Sequence, residues 1–160
     1  MRISLIAAGR LKPGPEKLIA EDYLTRAQGL GRKCGSSRIG DAEFSESHAS
    51  SATARMTEEA KLFASALPPK CFSVVLDERG KALPSEAFAD LLRRQLDSGT
   101  ADIAFMIGGP DGHAPETREN SGLLLSFGPM TWPHRLVRVM LFEQLYRAIT
   151  IITGHPYHRT

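Results

Sequence analysis

The chain contains two segments rich in glycine and proline that can bind a small molecule through backbone groups. Residues 108–112 read GGPDG and residues 128–133 read GPMTWP. Adjacent glycines let the backbone approach a ligand without obstruction by a Cβ atom, and exposed N–H and C=O groups can bind the edge of an adenine ring. Neither segment has the spacing of a dinucleotide or P-loop motif, and each alone is equally typical of a simple turn. Together they indicate a ligand pocket.

The C-terminal residues 155–159, HPYHR, combine two imidazoles, a phenol ring and a guanidinium. These groups bind RNA by stacking and by phosphate contact, although a frayed terminus is the alternative. His155 and His158 have no acidic third ligand nearby, so we expect no metal site. We interpret the isolated His48 and His113 as surface residues.

The positive charge is concentrated at the C-terminal end. The net charge is +2, yet residues 1–120 hold 16 Lys and Arg against 17 Asp and Glu. The last forty residues carry the whole excess, with Glu143 as their single acidic residue. This asymmetry indicates an anionic partner for the C-terminal region.

Composition excludes several classes of protein. A chain of 160 residues with 42% hydrophobic content fits one domain over residues 1–160. No apolar run approaches the ~18 residues of a membrane span, and the N-terminus does not resemble a signal peptide, so we expect a cytoplasmic protein without a membrane partner. Cys34 and Cys71 lack zinc-site spacing, and we expect free thiols.

Alternating strands and helices must position these residues. Several strands are apolar throughout, which predicts an α/β fold with a mostly parallel sheet and helices on both faces. Ligands bind beyond the carboxyl ends of such strands, where a charged turn at 77–81 and the two glycine segments lie. We predict strands at 2–8, 37–44, 71–76, 102–107 and 123–127, and helices near 16–28, 52–67, 85–96 and 135–152.

The predicted helix at 135–152 is apolar on nearly every side. A helix of this kind is buried on several sides, and in a small protein one side can face a second subunit. We therefore favour a homodimer over a central helix in a monomer. Glu143 and Arg147 lie four residues apart and can form an ion pair.

Four segments in consistent order resemble the ribosomal RNA large-subunit methyltransferase H family, in the SPOUT class of knotted methyltransferases. The segments are IGGPDG at 107–112, PHRLVRV at 133–139, EQLYRA at 143–148 and HPYHR at 155–159. The resemblance implies a C-terminal trefoil knot, a homodimer, and S-adenosylmethionine as cofactor. It also implies methyl transfer to N3 of a pseudouridine in large-subunit (23S) ribosomal RNA, with the RNA within an assembled ribosome. Residues 30–70 do not contribute to it.

The resemblance also assigns individual residues. Trp132 replaces the smaller apolar residue that the family leads us to expect. Arg135 occupies a position at which the family does not generally lead us to expect an arginine. The RNA-binding residues it implies are Arg135, His155, Tyr157, His158 and Arg159. The cofactor-binding residues it implies are Leu76, Gly108, Gly109, Gly128, Pro129, Met130, Thr131, Trp132 and Pro133.

The pseudouridine nitrogen must lose a proton before it can attack a methyl group. We expect Arg159 to stabilise the resulting anion and Tyr157 to orient the base. His134 is the candidate general base, and Glu143 orients His134 or Arg159, within one chain or across the dimer. The alternatives are a related SPOUT enzyme that acts on transfer RNA and a ribosome-binding protein without catalysis. A nucleotide enzyme ranks below both, because the phosphate-loop spacings are absent.

Overall fold

Five parallel strands form the centre of the protein, as a computed structural model of residues 1–159 describes it. In chain order they are β1 (Arg2–Ala8), β2 (Arg38–Phe44), β3 (Phe72–Ala82), β4 (Asp102–Ile107) and β5 (Leu123–Ser126). They lie side by side in the order β2-β1-β4-β3-β5, and each neighbouring pair is parallel. The predicted α/β class with a parallel sheet is confirmed.

The helices cover both faces of this sheet, as the sequence predicts. On one face, Ile3 and Leu5 belong to the core that includes α1, α3 and α5. On the other face, Ile6 and Ala8 pack with Phe63 of α2. The alternation follows from the two-residue period of a strand. The helices are α1 (Pro15–Gly31), α2 (Ala52–Ala66), α3 (Ser85–Asp97), α4 (Pro115–Glu119) and α5 (His134–Thr153), and the short α4 was not predicted.

Local sequence determines where α2 and α5 begin and end. The Ser51 hydroxyl accepts a hydrogen bond from the Ala54 N–H at 3.1 Å and caps α2, which ends before two consecutive prolines. Gly154 ends α5 in the left-handed conformation, at φ 68°. Both helices therefore lie within one or two residues of their predicted ends.

Strand β3 differs from the prediction. We expected a charged turn at 77–81 after a short strand, yet β3 continues to Ala82. Leu76 and Lys81 both pair with Leu125 of β5, so residues 77–80 bulge out of the ladder between them. The absence of a side chain at Gly80 lets the chain rejoin β5 after the bulge, because a Cβ atom there would lie only 2.6 Å from the Leu125 carbonyl carbon. The backbone pairing of β5 thus holds the charged segment at the sheet edge.

Helix α5 packs between α1 and α3. Leu141, Leu145 and Ile149 are fully buried, whereas Leu136 near its N-terminal end is 39% exposed. No helix within residues 1–159 is long and apolar enough to cross a bilayer. The trefoil knot implied by the resemblance stays a prediction.

Candidate active site

A cleft of about 540 Å³ opens at the carboxyl edge of the sheet. The bulge of β3, the glycine loop after β4 and the segment after β5 meet there, and the cleft has the size of a small-molecule site. For the rest of the article, the glycine loop means residues 108–112. All nine predicted cofactor-binding residues except Pro129 line the cleft.

Within the glycine loop, the backbone itself forms the wall of the cleft. The Gly112 N–H donates to the Gly109 carbonyl at 2.9 Å, which closes a tight turn. A Cβ atom at Gly109 would lie 2.9 Å and 3.0 Å from the two carboxylate oxygens of Glu59. A larger residue at 109 would therefore displace this buried carboxylate from its present position.

Charged side chains surround the mouth of the cleft. Asp77, Glu78 and Asp111 supply carboxylates, and Arg79 and Arg118 supply guanidinium groups. Arg118 lies 3.7 Å from Asp77 and also donates to the carbonyl of His113. The mixture suits a zwitterionic ligand that carries an additional positive charge.

His113 is buried, so our interpretation of it as a surface residue was wrong. The side chain is 2% exposed and its ring lies 5.1 Å from the ring of Phe63. Burial lowers the pKa of His113 to about 4, and neither ring nitrogen has a hydrogen-bond partner within the described residues. At neutral pH the imidazole is uncharged and packs as an aromatic group behind the glycine loop. His48 is exposed, as expected.

His134 lies at the rim of the cleft, at the first residue of α5. Its Nε2 atom is 3.9 Å from the Glu46 carboxylate, and the ring is about one third exposed. Arg135 follows it and is half-buried. The candidate base thus faces the cleft with a carboxylate from the segment after β2 beside it.

The C-terminal residues form a second group, which we call the tail cluster (Glu143, Arg147, Tyr157 and His158). The Glu143 carboxylate accepts from the Tyr157 hydroxyl at 3.0 Å and from Arg147 Nε at 2.9 Å. The Arg147 guanidinium lies over the Tyr157 ring, 4.9 Å from its centroid. Burial and the hydrogen bonds to Tyr23 and Glu143 raise the pKa of Tyr157.

These contacts hold the tail against α5 of its own chain, and Glu86 of α3 adds a further contact. The Glu86 carboxylate lies 3.0 Å from His158 Nε2, and Arg147 lies 3.5 Å from the other ring nitrogen. His155 and Arg159 stay exposed. Tyr157 and His158 are therefore docked against the chain by side-chain contacts, which a frayed segment would lack.

The two groups are separate within one chain. His134 and Glu143 are nine residues apart on α5, which is about 14 Å along the helix axis. Tyr157 donates a hydrogen bond to Glu143 and therefore lies beside Glu143 and not beside His134. Within the chain Glu46, and not Glu143, is the carboxylate beside His134.

Helix α2 contributes residues that the sequence analysis missed. Arg55 binds both carboxylate oxygens of Asp111, at 2.6 Å and 3.0 Å, and Glu59 lies under Gly109. The sequence feature that could have pointed to them is their spacing, since Arg55, Glu59 and Phe63 follow one another at intervals of four residues on a predicted helix. Residues 30–70 carried no motif, so this stripe received no functional interpretation.

The cleft fits S-adenosylmethionine by its own chemistry. A glycine wall without Cβ atoms admits a ligand close to the backbone, apolar side chains cover the inner surface, and carboxylates at the mouth complement a sulfonium and an ammonium group. Leu76, Gly109 and the segment 128–133 would hold the cofactor. Among residues 1–159, no group of three or more side chains is arranged to bind a metal ion.

Comparison with known proteins finds similarity over nearly the whole chain. A family described as "Predicted SPOUT methyltransferase" matches residues 1–158. A protein named ribosomal RNA large subunit methyltransferase H from Rhodopseudomonas palustris (strain HaA2) is 51% identical, with 99% of each chain covered. A protein of the same name from Brucella anthropi is 46% identical, with 100% of each chain covered.

Proposed function

Because this chain belongs to the SPOUT methyltransferase family, we propose that it transfers a methyl group from S-adenosylmethionine to N3 of a pseudouridine in large-subunit ribosomal RNA. The observation that carries the proposal is the cleft at the ends of β3, β4 and β5. Its walls are the segments that the resemblance assigns to the cofactor. The full-length similarity to large-subunit ribosomal RNA methyltransferases supports this substrate class.

The chain's own residues bind and orient both reactants. The backbone of 128–133 binds the adenine edge, and Gly109, which lines the same cleft, gives close backbone contact. When bound, S-adenosylmethionine supplies a methyl group activated by a sulfonium. Orientation then dominates the rate, because the displacement requires the acceptor nitrogen in line with the methyl group.

His134 and the tail supply the groups for the acceptor. His134 accepts the proton from the pseudouridine nitrogen at the rim of the cleft, with Glu46 beside its Nε2. Arg159 stabilises the nitrogen anion, and the Tyr157 ring orients the base. Arg159 is exposed and free to turn toward RNA, whereas Tyr157 is held by Glu143.

A homodimer brings these groups together. The distance of about 14 Å between His134 and Glu143 along α5 prevents one chain from building the whole site, so we propose that the tail cluster of one subunit completes the cleft of its partner. Exposed apolar side chains on α1, on the segment 128–133 at the rim of the cleft and in the first turn of α5 supply the contact surface, as large exposed patches do at interfaces. They include Leu18, Ile19, Met130, Trp132 and Leu136, which are 69%, 46%, 68%, 39% and 39% exposed.

The substrate is a folded ribosomal particle. With a net charge of only +2, non-specific affinity for RNA is low and sensitive to salt, so recognition depends on shape and on a few placed groups. Arg135, His155, His158 and Arg159 contact RNA in this proposal. A ribosomal substrate also requires that the protein act in the cytoplasm.

Methylation of ribosomes that lack the modification tests the proposal. The protein is incubated with isotopically labelled S-adenosylmethionine and either assembled ribosomes or deproteinised large-subunit RNA, and mass spectrometry locates the label. We expect one labelled pseudouridine in the large-subunit RNA of ribosomes and little label on free RNA. Label on transfer RNA alone, or no label in any preparation, would overturn the proposal.

Variants test the assigned roles. Arg159→Ala should reduce turnover by about 10²–10⁴-fold with cofactor affinity unchanged, since electrostatic and acid–base groups contribute on that scale. Lys33→Ala removes an exposed cation on the 3-10 turn Arg32–Cys34 and serves as the control. Equal turnover of the two variants would remove Arg159 from the mechanism.

A further inference from the structure

One face of α2 supports the glycine loop from behind. Arg55, Glu59 and Phe63 succeed one another at four-residue intervals, so they lie on one stripe of the helix. Each contacts a different residue of the loop or its end: Arg55 meets Asp111, Glu59 meets Gly109, and Phe63 meets His113. Successive turns of the helix therefore contact successive positions along the loop.

Glu59 is the central member of this stripe. It is 5% exposed and is the only charged residue among the three buried residues of α2, the others being Ala60 and Phe63. One of its oxygens accepts from the Ser47 N–H at 3.1 Å and the other from the Gly109 N–H at 3.4 Å. A buried carboxylate is stable only with such partners, and here the partners are backbone groups of two separate segments.

Arg55 makes the same kind of bridge at the other end of the loop. It binds the Asp111 carboxylate with two nitrogens and donates a third bond to the Ala49 carbonyl at 3.0 Å. Both side chains thus bind the glycine loop on one side and the polar segment 45–51 on the other. That segment also carries Glu46, which lies beside His134.

We propose that Glu59 is a positioning residue that holds the glycine loop in its cofactor-binding form and couples that form to the order of segment 45–51. The inference rests on the proposed function, because it takes the glycine loop as part of the cofactor site. Since coupling between two sites is reciprocal, cofactor binding stabilises segment 45–51, and with it the Glu46 carboxylate beside the candidate base. Glu59 itself does not touch the cleft.

The two hydrogen bonds require a carboxylate. Both partners of Glu59 are N–H donors, so the side chain must accept on two oxygens. A glutamine presents one oxygen and one NH₂ group, and the NH₂ group would face one of the donors. An aspartate keeps both oxygens but is one methylene shorter, so it can hold only part of the arrangement.

The test measures binding of S-adenosylhomocysteine, a probe that needs no turnover. Titration calorimetry gives Kd for the unaltered protein, Glu59→Gln, Glu59→Asp and the control Glu58→Gln. Glu58 is exposed and accepts from the Ser47 hydroxyl, so its replacement disturbs the same segment without touching the glycine loop. We expect Kd to rise by about tenfold or more in Glu59→Gln, the scale of one charge-assisted hydrogen bond, and by less in Glu59→Asp. Glu58→Gln should stay within about twofold of the unaltered protein.

Hydrogen exchange separates positioning from simple loss of structure. Addition of S-adenosylhomocysteine should slow amide exchange in 45–51 in the unaltered protein and in Glu58→Gln, but not in Glu59→Gln. If Glu59→Gln does not fold, Arg55→Met carries the same test from the other end of the loop. Equal Kd and equal protection in the Glu59 and Glu58 variants would overturn this inference alone. Failure of the unaltered protein to bind the probe would overturn the proposed function with it.

Discussion

Arg138 offers the sharpest test of how α5 is held against the sheet. Its side chain is 2% exposed, and it donates to the Glu43 carboxylate at 2.6 Å and to the Gly9 carbonyl. Through these bonds one guanidinium joins α5 to the end of β1 and to β2. Arg138→Met keeps a long, flexible side chain in the space and removes the charge together with both hydrogen bonds.

The expected cost follows from the partners that remain. Each charge-assisted hydrogen bond contributes about 1.5–3 kcal/mol, and breaking a buried ion pair costs about 3–5 kcal/mol. Glu43 stays about one third exposed and still accepts a hydrogen bond from the Leu11 N–H at 3.0 Å, so its carboxylate is not left without a partner. The Gly9 carbonyl loses its charged donor. We therefore expect a loss of about 3 kcal/mol, near the lower end of the range.

The pH dependence tests the electrostatic part of this reasoning. Burial raises the pKa of Glu43, but the Leu11 N–H and the Arg138 guanidinium outweigh it and bring that pKa below its ordinary value of 4.5. A carboxylate with a lowered pKa adds stability above its unfolded pKa and loses it as pH falls through its folded pKa. The difference between Arg138→Met and the unaltered protein should therefore shrink below pH 4.5, leaving the Gly9 contribution.

Urea unfolding measures these free energies, at a fixed protein concentration because the stability of the proposed dimer would depend on concentration. The m-value should not change. Glu43→Gln and the double variant complete a cycle that isolates the ion pair. A loss below about 1 kcal/mol at pH 7, or an unchanged difference at low pH, would refute the assignment of Arg138 as a charged link between α5 and the sheet.

Three further predictions follow from the site and the sheet. Mixing His134→Ala with Arg159→Ala and allowing subunits to exchange should restore about a quarter of full methylation, since half of the dimers are mixed and each has one intact composite site; no recovery would contradict a shared site. Gly80→Ala should lower the Tm by several degrees, because its Cβ would lie 2.6 Å from Leu125 backbone; an unchanged melting curve would contradict the bulge geometry. Burial and the charge of Asp102 raise the pKa of Cys71 to about 11, so iodoacetamide should alkylate it about a hundredfold more slowly at pH 8 than free cysteine; equal rates by mass spectrometry would contradict that burial.

Most of the fold could be predicted because its strands are short apolar runs. Residues 102–107 are all buried, and a run of that kind has few alternatives to a central parallel strand. The end of β3 could not be predicted in the same way. Residues 77–82 are polar and contain a glycine, so their local preference is for a turn. Their strand conformation depends on pairing with Leu125, more than forty residues later in the chain.

The site was predictable where backbone chemistry defines it. Glycine and proline at 108–112 and 128–133 restrict the chain to a few conformations, and those segments line the cleft. Side-chain environments were less predictable, because burial depends on the whole fold. His113 is charged or neutral according to what covers it, and Phe63, which covers it, lies fifty residues earlier. Glu59 was missed for the same reason, since only the fold brings it beneath Gly109.

The strand order has a consequence for how the chain folds during synthesis. β1 lies between β2 and β4, and its first residue forms an ion pair with Asp102, one hundred residues later. At about 5–20 residues per second, a ribosome needs roughly 5–20 s to make that interval, and meanwhile one edge of β1 has no partner. Arg138 reaches the end of β1 later still. We therefore expect folding to be largely post-translational and slower than for a helical protein of this length, with β1 exposed to aggregation until the chain is nearly complete.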